Sequence, residues 1–359
     1  MQVRLKPINE QTIVIVGASS GIGLVTAKMA ARRGASVVLA ARNETDLRRA
    51  VQEIRDAGGR AVYHVADVAD VEQVERVADV SLREFGRIDT WVNNAAVAVY
   101  GRVMDVALAD MRRQFDVNYW GQVYGSVIAV RHLRREGGAL INVASALAER
   151  AIPLQGNYSA AKHALKAFTD ALRMELEEEG VPVSITLVKP GSIDTPLFDK
   201  SKTYLGVEPQ PVPPVYAPEI AAETILHCAE RPVRDVIVGG MGRMLRVADA
   251  LPGLADKYME RTTFDSQKTG KVVSDRPNNL YDPVEYDGGE RGHNWSGRTK
   301  PTSLYTAAAL HPRVAAVTAL GAGAALLAGV LARRGARRNA ERAEGVALRE
   351  GPSAPDQTS

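Results

Sequence analysis

Three residues bring chemistry to this chain: Ser145, Tyr158 and Lys162. Tyr158 and Lys162 stand four positions apart, the spacing at which two side chains share one face of an α-helix. An ammonium held beside a phenol favours the phenolate and lowers the tyrosine pKa from about 10. A tyrosine tuned in this way gives a proton to, or takes one from, a carbonyl or alcohol oxygen. Ser145 closes the apolar run from Ala139 to Val143, and its hydroxyl can hold the same oxygen from the other side. Such a site moves a proton while a cofactor moves a hydride. A Tyr-x-x-x-Lys spacing also arises on many solvated helix faces, so its meaning depends on the elements that position it.

Thr12 to Val16 is an unbroken β-branched run, as expected of a strand buried on both faces of a parallel sheet. Gly17-Ala18-Ser19-Ser20-Gly21-Ile22-Gly23 follows at once, and then a helical pattern to Arg33. Glycines between a strand and a helix start let the backbone approach a pyrophosphate, which the helix N-terminus stabilises; a tight strand-to-helix turn is the plainer reading. A second strand, Ser36 to Ala41, ends at Arg42. An acidic residue there would bind the ribose 2′-hydroxyl of NAD, whereas a guanidinium suits a 2′-phosphate. The cofactor expected is therefore NADP(H) in preference to NAD(H). A helical pattern over 43–57, a strand over 61–65 and then Asp67-Val68 come next. Asp67 either faces an adenine ring or caps the helix of 70–85. After the strand Thr90-Trp91-Val92, the asparagines of Asn93-Asn94-Ala95-Ala96 can lock a turn through side-chain to backbone bonds, and its alanines leave room for a flat cofactor. The helical pattern of 110–134 contains Asn118, a poor residue for a helix interior. It points to a kink or a bound water, or else to a partly exposed neutral side chain.

The glycine turn 17–23, Asn93-Asn94-Ala95-Ala96, Asn118, Ser145, Tyr158-x-x-x-Lys162 and Pro190-Gly191-Ser192-Ile193-Asp194-Thr195 stand in the order and spacing of the short-chain dehydrogenase/reductase family. The chain resembles that family over residues 9–240. The resemblance implies an α/β fold, a Rossmann-like doubly wound parallel sheet of about seven strands flanked by helices. It implies Tyr158 as general acid/base, Lys162 lowering its pKa and holding the nicotinamide ribose, Ser145 orienting the substrate carbonyl, and Asn118 keeping a water in a proton relay. The same resemblance places the cofactor against Gly17, Ser19, Ser20, Gly21, Ile22 and Gly23, then Arg42, Asp67 and Val68, and Asn94 and Ala95. At the nicotinamide end it adds Pro190, Gly191, Ile193 and Thr195 beside Tyr158 and Lys162. Val16 and Ala96 replace the usual threonine and glycine of two cofactor-lining turns, and neither change removes a catalytic group. A homodimer or homotetramer is the family's usual assembly.

The proline-rich stretch 196–218 lacks periodicity and suits a substrate-covering loop. Leu197, Phe198, Tyr204, Leu205, Val212, Val215 and Tyr216 would give it an apolar inner surface, and its only candidate anion clamps are Lys200 and Lys202. A small lipophilic ketone or alcohol is the expected substrate. The net charge of +3 is too small to argue for nucleic acid, and no metal site is expected. The single cysteine, Cys228, excludes an intramolecular disulfide and reads as a buried apolar side chain. Beyond residue 240 the family pattern fades. Residues 243–259 suggest one or two short helices, and the polar 267–302 reads as a linker or an extended arm, with an arm over a neighbouring subunit as the rival.

Residues 314–332 carry no charge and are just long enough to cross the hydrocarbon layer as one helix. Arg333, Arg334, Arg337 and Arg338 follow, in a tail (333–359) that reads as disordered. The expected organisation is a catalytic domain in the cytoplasm anchored by this helix, the alternative being a soluble enzyme with a helical oligomerisation tail. A different class of function, a non-catalytic NADP(H)-binding regulator or scaffold, is opposed by the filled Ser145, Tyr158 and Lys162 positions.

Overall fold

The run Thr12–Val16 forms strand β1, with every residue buried. Burial on both faces explains why its sequence shows no alternation. β1 pairs with β2 (Ser36–Ala41) on one side, Thr12 against Ser36, and with β4 (Thr90–Asn93) on the other, Ile13 against Thr90. Adding β3 (Arg60–Val65), β5 (Gly138–Val143), β6 (Val183–Pro190) and β7 (Asp235–Val238) gives a seven-stranded parallel sheet in the order β3-β2-β1-β4-β5-β6-β7. The order reverses between β1 and β4, which opens a crevice beyond their C-terminal ends.

Helices α1 (Gly21–Arg32), α2 (Glu44–Asp56), α3 (Val71–Phe85), α4 (Leu108–Phe115), α5 (Gly121–Leu133), α6 (Gly156–Glu178) and α7 (Pro218–Glu230) cover the sheet. Alternate strand residues feed two apolar layers, one with Ile13, Ile15, Val37 and Leu39 against Leu24, Ile225 and Leu226. The other sets Val14, Val16, Val38 and Trp91 against Val77 and Ile128. This is a computed structural model of the chain, and it describes residues 3–240, 251–273, 276–285, 288–312 and 315.

Local sequence explains the turns that matter. Asp70, not Asp67, caps α3, accepting from the N–H groups of Glu72 (2.9 Å) and Gln73 (3.2 Å). The helical pattern of 110–134 is broken at Asn118: α4 and α5 are joined by a π-helical turn over Asp116–Trp120. Asn118 is fully buried there, so the partly exposed reading does not hold, and the irregularity at this position is a π-helical turn. The stretch 196–218, expected to lack packed elements, contains three short strands, Lys202–Thr203, Val207–Pro209 and Val215–Tyr216. Val215 and Tyr216 are buried, and Tyr216 joins the core layer beside α7 instead of facing a substrate.

Of the two readings of 267–302, a linker or an extended arm, the described residues follow the second, packed on this same chain. Helix α8 (Pro252–Ser266) is followed by the strand Lys268–Val272, which pairs with Val207–Pro209. Residues 276–285 and 288–300 run as a strap over this same chain. Leu280 is 0 % exposed, and Asn43 Nδ2 donates to Val284 O at 3.0 Å. Gly21 N–H donates to Gly289 O at 2.8 Å, and Thr299–Lys300 pairs with Val215–Tyr216. Helix α9 (Leu304–Leu310) ends the compact unit Met1–Leu310, and a second unit begins at His311. Apart from Ala315, the expected span 314–332 lies outside the described residues; among those described, no helix is long and apolar enough to cross a membrane.

Candidate active site

A cavity of about 610 Å³ lies beyond the strand ends, in the crevice between β1 and β4. The turn from β1 to α1 forms one wall with Gly17, Ser19, Ser20, Gly21 and Ile22. Gly17 has φ +89°, and a Cβ on it would lie 2.5 Å from Ala95 N, so a side chain there would block the turn against the β4 turn. Asn94 ties the two turns together, donating from Nδ2 to Gly17 O at 2.7 Å. Gly23 stands outside the cavity; a Cβ on it would meet Gly17 O at 2.1 Å, so its part is close packing of the turn on the helix.

At one end the cavity is walled by Arg42, Asp67 and Val68, and near the middle by Asn94 and Ala95. Arg42 donates from Nη1 to Tyr281 O at 2.6 Å and from Nη2 to Asn279 O. Asp67 accepts from the Arg113 guanidinium and from Ala69 N–H at 3.0 Å. Pro190, Gly191, Ile193 and Thr195 border the other end. A glycine-lined cradle leading into a helix start, with small residues opposite, fits a dinucleotide. One amide of the cradle, Gly21 N–H, is taken by Gly289 O, so the strap shares this edge with any phosphate.

Ser145, Tyr158 and Lys162 meet at that second end, all three lining the cavity. Ser145 follows β5 and begins a short 3-10 turn, its Oγ accepting from Leu147 N–H at 3.1 Å. Tyr158 and Lys162 lie on the first turns of α6, 8 % and 1 % exposed. Lys162 Nζ donates to Val143 O at 3.0 Å and lies 5.7 Å from the Tyr158 ring centroid. A buried polar network holds the two elements in register. Asn93 Nδ2 donates to Asn142 Oδ1 (2.9 Å), Asn142 Nδ2 to Thr169 Oγ1 on α6 (3.0 Å), and Gln122 Nε2 to Val143 O (3.0 Å).

Burial sets the protonation of this pair. It pushes the Tyr158 phenol up to about 12, against a hydrogen bond with Ser145 that pulls it down, and it pushes Lys162 down to about 7. The lowered phenol pKa expected from the i, i+4 spacing is therefore not found: desolvation outweighs a cation aimed at Val143 O. Asn118 does not line the cavity. Its Oδ1 accepts from Val97 N–H (2.8 Å) and its Nδ2 donates to Val97 O (2.9 Å), which pins the loop after β4.

Around Tyr158 the wall is apolar, with Leu147, Leu197 and Phe198 packed near it, and Ile152, Val212 and Met259 also line the cavity. Sequence reasoning missed several contributors. Met259, Thr262 and Thr263 come from α8, whose start is signalled by Pro252, and Asn279 comes from the strap. Of the two loop lysines, Lys200 lines the cavity, whereas Lys202 pairs with Asp110 at 2.6 Å. No cluster of metal-ligating side chains occurs among the described residues.

Comparison with known proteins agrees with this geometry. The profile of a family described as short chain dehydrogenase matches residues 11–205. The uncharacterized oxidoreductase YxnA of Bacillus subtilis is 44 % identical over 329 residues, covering 89 % of this chain and 91 % of its own. An 11-beta-hydroxysteroid dehydrogenase A of Sesamum indicum is 38 % identical over 52 % of this chain, which spans 53 % of that relative. Among solved structures, an alcohol dehydrogenase from Thermococcus sibiricus complexed with 5-hydroxy-NADP aligns with a TM-score of 0.57 at 27 % identity, over 63 % of this chain and 95 % of its own. A short chain dehydrogenase/reductase from Burkholderia phymatum shares the fold, with a TM-score of 0.60 at 23 % identity over 75 % of this chain and 100 % of its own.

Proposed function

This chain belongs to the short-chain dehydrogenase family, and on that premise we propose that it is an NADP(H)-dependent oxidoreductase interconverting a carbonyl and an alcohol on a lipophilic substrate. The observation that carries this reading is the convergence of Ser145, Tyr158 and Lys162 on a cavity that also contains the glycine turn. The nicotinamide cofactor supplies or accepts the hydride, and the chain's own residues do the rest. Ser145 Oγ orients the reacting oxygen, and Tyr158 Oη gives it a proton in reduction or removes one in oxidation. Lys162 holds the nicotinamide ribose, and its ammonium favours the phenolate once a proton has left. Asn118 acts through Val97, keeping that stretch of wall in place.

Two observations support the finer parts. The apolar lining around Tyr158 suits a lipophilic ketone or alcohol, and the sesame relative is named for a hydroxysteroid. The end of β2 carries Ala41 and Arg42 in place of a carboxylate, with Lys200 in the same cavity, and the Thermococcus relative was solved with an NADP derivative. The uncharged run 314–332 supports a membrane tether that keeps the cavity near substrates dissolved in the bilayer. A homodimer or homotetramer with the catalytic unit in the cytoplasm completes the reading.

The test uses the purified full chain in detergent, with NADPH and NADH, against lipophilic ketones, aldehydes and quinones and then alcohols in reverse, followed by nicotinamide absorbance. Turnover with NADPH is expected, and Tyr158→Phe should lower kcat by about 100-fold or more while leaving the Kd for NADPH unchanged. A folded chain that binds neither cofactor would end the reading.

A further inference from the structure

Two polar groups stand in the apolar wall around Tyr158, and the chemistry above uses neither. Tyr100 ends the short strand Val99–Tyr100 and packs in one cluster with Tyr158, with Leu197 and Phe198 against it. It is 1 % exposed and lines the cavity, and its Oη has no hydrogen-bond partner among the described residues. A buried phenol without a partner in the protein takes one from whatever fills the cavity. Burial and the neighbouring Tyr158 hold its pKa far above the usual tyrosine range, against a pull from Arg276, so it stays protonated and donates.

Gln155 lines the same cavity three positions before Tyr158, and it precedes α6 without capping it. Its Nε2 donates instead to Gln267 Oε1 at 2.7 Å. Gln267, fully buried on the C-terminal extension, donates from Nε2 to Pro153 O (3.0 Å) and Thr263 O (2.8 Å). Those two bonds fix both amides: Gln155 gives its N–H to Gln267 and keeps Oε1 as an acceptor. Gly101 N–H donates to Leu154 O at 3.0 Å, so the segments that carry Tyr100 and Gln155 lie side by side. The hydroxyls of Thr262 and Thr263 on α8 are engaged, donating to Tyr258 O (2.8 Å) and Met259 O (2.5 Å) of their own helix.

We infer that Tyr100 and Gln155 form a subsite for a second oxygen of the substrate, so that the substrate class is a lipophilic hydroxyketone, or in the oxidising direction the corresponding diol, and not a plain ketone. A hydroxyl is the group that fits both partners, because it accepts from Tyr100 Oη while donating to Gln155 Oε1. Tyr158 acts on the reacting oxygen as before, so reduction yields a diol and the second hydroxyl takes no part in the redox step. The inference rests on the carbonyl–alcohol reading above and names its substrate class.

The experiment measures kcat/KM of the full chain in detergent with NADPH, for a medium-chain aliphatic ketone and for the same ketone bearing a hydroxyl on the first, second or third carbon from the carbonyl. At least one hydroxyketone should exceed the plain ketone by about 10- to 100-fold, as two hydrogen bonds would give. Tyr100→Phe, which keeps the ring, and Gln155→Met should each lower that ratio by about 5-fold or more, with the Kd for NADPH unchanged. The ratio is the readout because a folding defect or a weakened general acid lowers both substrates alike. If Tyr100→Phe fails to fold, Gln155→Met carries the test. A wild-type ratio near one for all three hydroxyketones, or a preference that survives both variants, overturns the inference and leaves the oxidoreductase reading standing. A chain that binds NADPH and turns over neither kind of ketone, nor the matching alcohols in reverse, overturns the two together.

Discussion

At the scale of single residues, desolvation governs the site. Lys162 and Lys200 are buried amines, each pushed from 10.5 down to about 7, chiefly by burial. Between those two values the unfolded chain holds a proton that the folded chain does not, so stability rises with pH across this window. The contribution is complete above about 10.5 and is lost as pH falls through about 7. Urea unfolding of the wild-type chain should show a free energy that increases from pH 7 to pH 9, by roughly 1 kcal/mol per pH unit for each lysine within the window. Lys162→Met should remove one such increment; a wild-type profile that is flat over this range would refute the assignment. Binding of the anionic cofactor favours the charged amines again. Calorimetry at pH 8 in buffers of different ionisation enthalpy should accordingly find proton uptake with NADPH, smaller in Lys162→Met. The reaction itself should run best where Tyr158, pushed up to about 12 by burial, is helped by a charged Lys162.

At the scale of elements, two devices position the site. The π-helical turn of Asp116–Trp120 places Asn118 so that one side chain satisfies both the N–H and the C=O of Val97. Removing it leaves the buried Val97 N–H without its partner and Val97 O with Gln114 Nε2 alone, at 3.4 Å, so Asn118→Ala should cost about 1–3 kcal/mol of stability and weaken cofactor binding. Asn118→Ala with unchanged melting and unchanged Kd would show that the turn holds Val97 unaided. The strap is the second device. Leu280 is fully buried in the apolar layer that holds Val77 and Ile128, and the Arg42 and Arg113 guanidinium groups donate to the carbonyls of residues 279, 280 and 281. Leu280→Ala should cost about 2–3 kcal/mol and raise the Kd for NADPH and NADH alike. Thermal melts read beside dinucleotide titrations check both effects; a loss confined to NADPH would instead place the strap in phosphate recognition.

At the scale of the whole molecule, the compact unit Met1–Leu310 contains both ends of the cavity, and the uncharged run 314–332 lies beyond it. Liposome flotation of the full chain beside a version ending at residue 310 tests the proposed tether: the full chain should float and the shorter one should stay at the bottom, with equal affinity for NADPH. Residues 1–310 that float as readily would move the membrane contact into the catalytic unit. The sequence by itself determined the sheet, because unbroken β-branched runs and glycine turns are local signals, and they place Ser145, Tyr158 and Lys162 at strand and helix ends by spacing alone. It also marked Asn118 as a break in a helix, since its propensity is local as well. Only the tertiary structure decided what surrounds those residues. Arg42 lies 239 positions from Tyr281, and Asn43 lies 241 from Val284, so no periodicity could have brought the strap to the end of β2. For the same reason the tyrosine's pKa moved opposite to the expectation from its spacing. Burial is a property of the packed whole, and here it outweighs the charge of a lysine one helical turn away.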